Sequence, residues 1–189
     1  MKLRTRRAII LALAVFGVWQ AGAGIYIHAK AWLAQRLIAT SWASTLEGER
    51  HVRPWPWADM WPVARLRVPS VDVDLYVLAD VSGRSLAFGP GHLNESAPPG
   101  SVGNTIVAAH RDTHFRFLRT LPIGAELTLQ TDDGKVHRYR LMETQVIDSR
   151  HDRIRLDADG SLLTLLTCYP FEQIMPGGPL RYVAVAEGI

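Results

Sequence analysis

The 189-residue sequence predicts a mainly β domain closed into a barrel, with a few short helices, behind an apolar N-terminal helix. Three observations lead there. The C-terminal two-thirds is a series of short β-type runs divided by turn signals. Only two stretches within it look helical. Residues 8–27 contain no charged side chain.

Taken in order, "MKLRTRR" (residues 1–7) is a basic tail in which Lys2, Arg4, Arg6 and Arg7 have no acid among them. "AIILALAVFGVWQAGAGIYI" (residues 8–27) follows. About 20 apolar residues at a 1.5 Å rise span a bilayer core, and the basic flank is expected to stay in the cytoplasm. A cleaved signal peptide is the competing reading, because Ala21 and Ala23 have cleavage-like spacing. Ile25, Tyr26 and Ile27 carry the apolar run past that point, which favours an uncleaved signal-anchor. Either way, the rest of the chain is expected outside the cytoplasm. Residues 28–62 read as a helical stalk followed by a linker. Trp32, Leu33, Leu37, Ile38 and Trp42 lie near helical spacing in the stalk, and Trp55, Trp57 and Trp61 fall in the proline-rich linker. The stalk tryptophans suit a membrane interface, and almost equally a helix packed on the domain.

Residues 63–189 form the expected barrel. Its candidate strands are "VARLRVP", "VDVDLYV", "NTIVAAH", "ELTLQ", "VHRYRLMETQVI", "SLLTLLTC" and "LRYVAVA". Val71, Val73, Leu75 and Val77 alternate with polar residues, as a half-buried strand requires. "TDDGK" is an Asp-Gly hairpin turn. "GRSLAFG" and "THFRFLRTL" are the short helical pieces, and "FGPGHLNESAPPGSVGN" is read as one long Gly/Pro-rich loop. Seven or eight strands with so few helices argue for a barrel.

The net charge of +3 is modest and its excess sits at the N-terminus, so no nucleic-acid partner is expected. Cysteine usage is more telling. Cys168 is the sole cysteine, and in an oxidising compartment an unpaired thiol is either avoided or reactive. It can form neither an intramolecular disulfide nor a cysteine-based zinc site. Asp132, Asp133, Asp157 and Asp159 lie in turn-like segments and read as solvated, so neither metal nor cofactor is expected.

Cys168 ends an apolar strand, as does His110 in "NTIVAAHRDTHF", and Arg181 opens the last strand in "GGPLRYVAVA". A nucleophilic thiol needs an imidazole to raise its thiolate fraction and a cation to hold a developing oxyanion. Spacing alone does not single out these three, because seven histidines and many arginines compete. Arg111, next to His110, is the nearest rival cation, and its position at a strand end would aim it elsewhere. Asp112 reads as a turn residue, His114 as packing the short helix, and His92 as solvated in the long loop.

"TLLTC" (residues 164–168) resembles the TLxTC signature of sortases, the membrane-anchored cysteine transpeptidases. "HRDTHF" after a strand is similar to their histidine segment, and Arg181 to their essential arginine, with His, Cys and Arg in the same order. The resemblance covers roughly residues 63–186. "TCYPF" and the tryptophan-rich linker look most like the proteobacterial sortases of Gram-negative cells. The resemblance implies an eight-stranded sortase barrel that cleaves an LPxTG-like sorting signal between Thr and Gly through a thioacyl-enzyme. It implies Cys168 as nucleophile, His110 as general acid and base, and Arg181 at the oxyanion or substrate backbone, with Thr167 assisting at the oxyanion.

The implied partners are a protein substrate bearing that signal and encoded nearby, an amine acceptor (or water), and membrane lipid around the N-terminal helix. The implied location is the bacterial inner membrane, single-pass, with the catalytic domain in the periplasm. Rival readings are a non-catalytic tethered barrel that binds an envelope partner, an L,D-transpeptidase, and an NlpC/P60-type peptidase. The last two place their cysteine in a different context or order from "LLTCYP" after His110.

Overall fold

The computed structural model describes residues 3–173 and 177–189. Met1 and Lys2 of the expected basic tail, and the side chain of Arg4, lie outside this description. Helix α1 runs Leu3–Leu46. Its part before residue 37 groups apart from the rest of the chain. In that part Ile10, Leu11, Leu13, Val18, Trp19, Ile25 and Tyr26 are all exposed. Apolar side chains exposed along a helix are unfavourable in water and suited to hydrocarbon. Ile9–Leu46 is long and apolar enough to cross a membrane, which makes it a candidate transmembrane segment.

Residues 37–189 form the second unit, a barrel with the end of α1 packed on it. Ile38 lies in a buried cluster with Ala58, Met60 and Leu78, and Trp42 stacks obliquely on Tyr76 at 6.5 Å between ring centroids. Ser41 Oγ donates to the Val52 carbonyl at 3.0 Å, tying the helix end to the linker. Within that linker Trp55 packs edge-on against Phe88, whereas Trp57 is exposed.

Eight strands are present among the described residues: β1 Pro62–Val68, β2 Val73–Ala79, β3 Gly91–His92, β4 Gly103–Ala108, β5 Glu126–Thr131, β6 Val136–Asp148, β7 Ser161–Cys168 and β8 Leu180–Gly188. They close in the order β1-β2-β3-β4-β7-β8-β6-β5, as the expected barrel fold requires. β2–β3 and β4–β7 are the parallel pairs, and the remaining neighbours are antiparallel. β6 serves two partners. Its first part pairs with β5, and a register shift between Leu141 and Glu143 turns the strand along β8.

Three local readings are corrected. The long loop contains β3, a strand of two residues that alternation over such a short span could not reveal. β2 begins at Val73 and not at Val71, because Pro69–Val71 forms a 3-10 turn and Asp72 adopts a left-handed φ of 52°. Near "THFRFLRTL" only Arg116–Arg119 is helical, as a 3-10 turn. "GRSLAFG" does hold a single α turn, α2 at Gly83–Leu86, capped by Ser82. The Asp-Gly turn stands as read, with Gly134 at φ 79°.

Period-two alternation fills the barrel. Ala64, Leu66 and Val68 of β1, Leu127 and Leu129 of β5, Leu163 and Leu165 of β7, and Ala184 and Ala186 of β8 converge on one core. Each such leucine contributes about 1.5–3 kcal/mol by leaving water. Tyr139 lies in the same core at 1% exposure, and among the described residues its hydroxyl has no hydrogen-bond partner. An unsatisfied buried hydroxyl costs about 1–3 kcal/mol. Tyr139→Phe is therefore expected to raise stability by about 1 kcal/mol, read as a higher Tm or urea midpoint. A fall of similar size would show that the hydroxyl is satisfied.

Candidate active site

β7 fixes the geometry. Successive side chains on a strand point to opposite faces. Leu163, Leu165 and Thr167 point inward, so Leu162, Thr164, Leu166 and Cys168 line the outer face. The same alternation puts Asn104, Ile106 and Ala108 of β4, and Arg181, Val183 and Val185 of β8, on that outer face. Cys168 is paired in register with Arg181, and Arg181 in turn with Ile147 of β6. On the other side, Ala108 is level with Leu166 in the parallel pair, and the Ala109 amide donates to the Leu166 carbonyl at 3.1 Å. His110 follows two residues after the end of β4, and Cys168 two residues after Leu166. The structure thus brings the ends of β4 and β7 and the start of β8 side by side, with Cys168 paired to Arg181 and His110 just past the end of β4.

The Cys168 thiol is free and half-buried, and His110 is exposed. Arg181 is half-buried, and its Nη1 donates to the carbonyls of Gly178 and Leu180 at 2.8 and 2.9 Å. Thr167 points into the barrel, and its Oγ1 donates to the Ala109 carbonyl at 2.7 Å. Its hydroxyl therefore clamps β7 to β4, on the face opposite Cys168. His114 is half-buried. Burial, and secondarily the neighbouring charge of His110, hold its pKa below the ordinary imidazole value.

Further along the outer face, and not lined by His110, Cys168 or Arg181, lies a cavity of about 440 Å³ bounded by Asn104, Leu162, Thr164, Val183 and Val185 and by side chains of the 153–159 segment. Thr164 is fully buried there. Its Oγ1 donates to Asn104 Oδ1 at 2.8 Å, and Asn104 Nδ2 donates to the Arg155 carbonyl at 2.7 Å. Asn104 thereby fastens the β6–β7 segment over the sheet. At the other end Tyr169 stacks on Tyr182, and Phe171 meets both edge-on. A second, more open cleft of about 830 Å³ runs between residues 71–75 and the 113–120 segment, with His114 and Phe117 on its wall.

His92, expected to be solvated, is instead buried. Pairing of β3 with β2 and β4 draws it inside, where its Nε2 lies 3.0 Å from the Ala97 carbonyl and 3.2 Å from Ser96 Oγ. Arg111 is buried at 6% exposure, with its guanidinium on the Pro170 and Gln173 carbonyls of the loop after Cys168. Sequence reasoning missed that tie and the Asn104 clamp. Nothing local marks either one, because their partners lie more than 50 residues away along the chain. Among the described residues no group of three His, Cys, Asp or Glu side chains is placed to hold a metal ion.

Known proteins resemble this arrangement. The chain is 30% identical over 125 residues to Sortase D of Bacillus subtilis, a match covering 66% of this chain and 62% of that relative's length. Its fold superposes on sortase A from Corynebacterium diphtheriae with a TM-score of 0.63 at 21% identity, covering 70% of this chain and 63% of that one. For a Clostridium perfringens sortase D5 transpeptidase the TM-score is 0.61 at 23% identity, covering 80% and 88%. The sortase domain model matches residues 66–189, which include β2 to β8 with His110, Cys168 and Arg181, and the chain therefore belongs to the sortase family.

Proposed function

We propose that this chain is a membrane-anchored cysteine transpeptidase that cleaves an LPxTG-like sorting signal between Thr and Gly. The observation that carries this reading is the adjacency of the ends of β4 and β7 and the start of β8, with Cys168 paired to Arg181 and His110 two residues past the end of β4. The Cys168 thiolate attacks the threonine carbonyl, and Arg181 donates to the oxygen on which negative charge develops. The C–N bond breaks as His110 gives its proton to the departing glycine amine, leaving a thioester on Cys168. An incoming amine then attacks the thioester, His110 takes its proton, and the thiolate leaves. Water in place of the amine gives hydrolysis. Thr167 serves this site by clamping β7 to β4, which leaves the oxyanion to Arg181 and backbone donors.

The domain reading goes with this: a cytoplasmic tail at residues 1–7, a bilayer span at 8–27, a stalk and linker at 28–62, and the catalytic barrel at 63–189. The apolar exposure of α1 supports the span. On this reading the barrel is extracytoplasmic, at the inner membrane of a Gram-negative cell, and acts on one partner encoded nearby. "TCYPF" and the tryptophan-rich linker support that subclass.

The reading is tested with the full chain in detergent, a fluorogenic LPxTG-like peptide and a small amine, with mass spectrometry to look for an acyl adduct on Cys168. Arg181→Lys is expected to lose at least about tenfold in kcat/KM, because an ammonium cannot reproduce the planar fork of donors. A fully active Arg181→Lys chain would remove Arg181 from the mechanism.

A further inference from the structure

Backbone bonding between β4 and β7 stops just short of the reacting residues. The last links are the Ala109 amide to the Leu166 carbonyl and the Thr167 hydroxyl to the Ala109 carbonyl. Beyond them the strands part. His110 leads into a turn in which the Phe115 amide donates to the His110 carbonyl at 3.1 Å, while Cys168 stays with β8. The separation of positions 110 and 168 is left to whatever joins the two segments that follow them.

Among the described residues two side-chain ties span that gap: an exposed ion pair between Arg119 and Glu172 at 2.9 Å, and a buried tie made by Arg111. Arg111, directly after His110, places Nη1 2.6 Å from the Pro170 carbonyl and Nη2 2.7 Å from the Gln173 carbonyl, both just past Cys168. Its Nε donates to Asp112 Oδ1 at 3.1 Å. A guanidinium at 6% exposure carries a desolvation cost. Here that cost is offset by three charge-assisted bonds, one of them to the Asp112 carboxylate. The planar fork meets two carbonyls three residues apart, a task a single ammonium cannot perform.

We propose that Arg111 is a positioning residue. By tying the segment after His110 to the segment after Cys168, it sets the distance between imidazole and thiol. Its importance to turnover rests on the roles given to those two residues above, but the tie itself is measurable without them. Ala108 and Leu166, two residues before each of these positions, are the last pair between β4 and β7. Neighbouring strands lie about 4.7–4.9 Å apart, within the Cα separation a disulfide accepts. In the full-length His110→Cys chain the only two cysteines sit at positions 110 and 168. Their effective concentration, titrated against a glutathione redox buffer, reports directly how firmly the strand ends are held together.

Adding Arg111→Met is expected to lower that effective concentration at least tenfold, and Arg111→Lys to lower it less, with far-UV circular dichroism unchanged. A side chain that merely stabilised the fold would move Tm and leave the effective concentration within twofold, which would overturn the proposal. Failure of the parent His110→Cys chain to form the disulfide would overturn it as well, since the strand ends would then not be held at sheet distance. Should Arg111→Met not fold, Arg111→Lys decides by the same threshold of twofold. If instead Cys168→Ala keeps its transfer activity, the catalytic reading fails while the tie stands or falls on the redox titration alone.

Discussion

Cys168→Ala is expected to lose at least about 10⁴-fold in peptide transfer while keeping its fold. Removing the nucleophile of a covalent mechanism abolishes the acyl intermediate, and what remains is only binding and oxyanion stabilisation. The structural cost should be small. Cys168 ends β7 on the outer face and takes no part in the barrel core, so loss of its sulfur should change stability by less than about 1 kcal/mol. The measurement is turnover of a fluorogenic LPxTG-like peptide beside a melting curve. Retained turnover in a well-folded variant would sink the assignment of the thiol as nucleophile. A non-catalytic tethered barrel would behave in that way.

His110→Ala is the second large effect. General acid–base catalysis by a positioned side chain contributes about 10²–10⁴-fold, and in the proposed mechanism one imidazole serves both halves of the reaction. In that scheme it protonates the leaving amine and then deprotonates the incoming one. The variant should therefore fall in both acylation and transfer, seen as slow adduct formation on Cys168 and slow consumption of any adduct that forms. His110 is exposed and lies outside the strand ladder, so Tm should be nearly unchanged. The nearest substitute is His114, which the Coulombic influence of His110 on its pKa shows to be close. Burial keeps it less basic than an ordinary imidazole. Turnover within threefold of the parent would transfer the acid–base role away from His110.

The barrel was legible because it rests on a local pattern. Val73, Leu75 and Val77, or Leu163 and Leu165, alternate or cluster in a way that a two-sided strand imposes on any chain. What escaped was whatever a short or irregular segment encodes. β3 spans two residues, and no periodicity exists over two. The shift of β2 to Val73 follows from the proline-led 3-10 turn and the left-handed Asp72. His92 was misread for the same reason, since its burial comes from partners on β2 and β4 and not from its Gly/Pro-rich neighbours.

The site divides along the same line. By itself the sequence determined that a lone cysteine ends one strand and an arginine opens another, whereas the histidine read as ending a third lies two residues past it, because β4 stops at Ala108. It also determined that residues 8–27 form an uncharged apolar stretch, because composition and period-two alternation are properties of neighbouring residues. Only the tertiary structure decided that these three strand ends are adjacent, since parallel pairing of β4 with β7 joins segments far apart in the chain. It also decided that the Thr167 hydroxyl turns into the barrel as a clamp, and that Arg111 crosses to the loop after Cys168. Hydrogen bonds of that kind depend on which backbone carbonyls the fold brings within about 3 Å, and no local pattern records them.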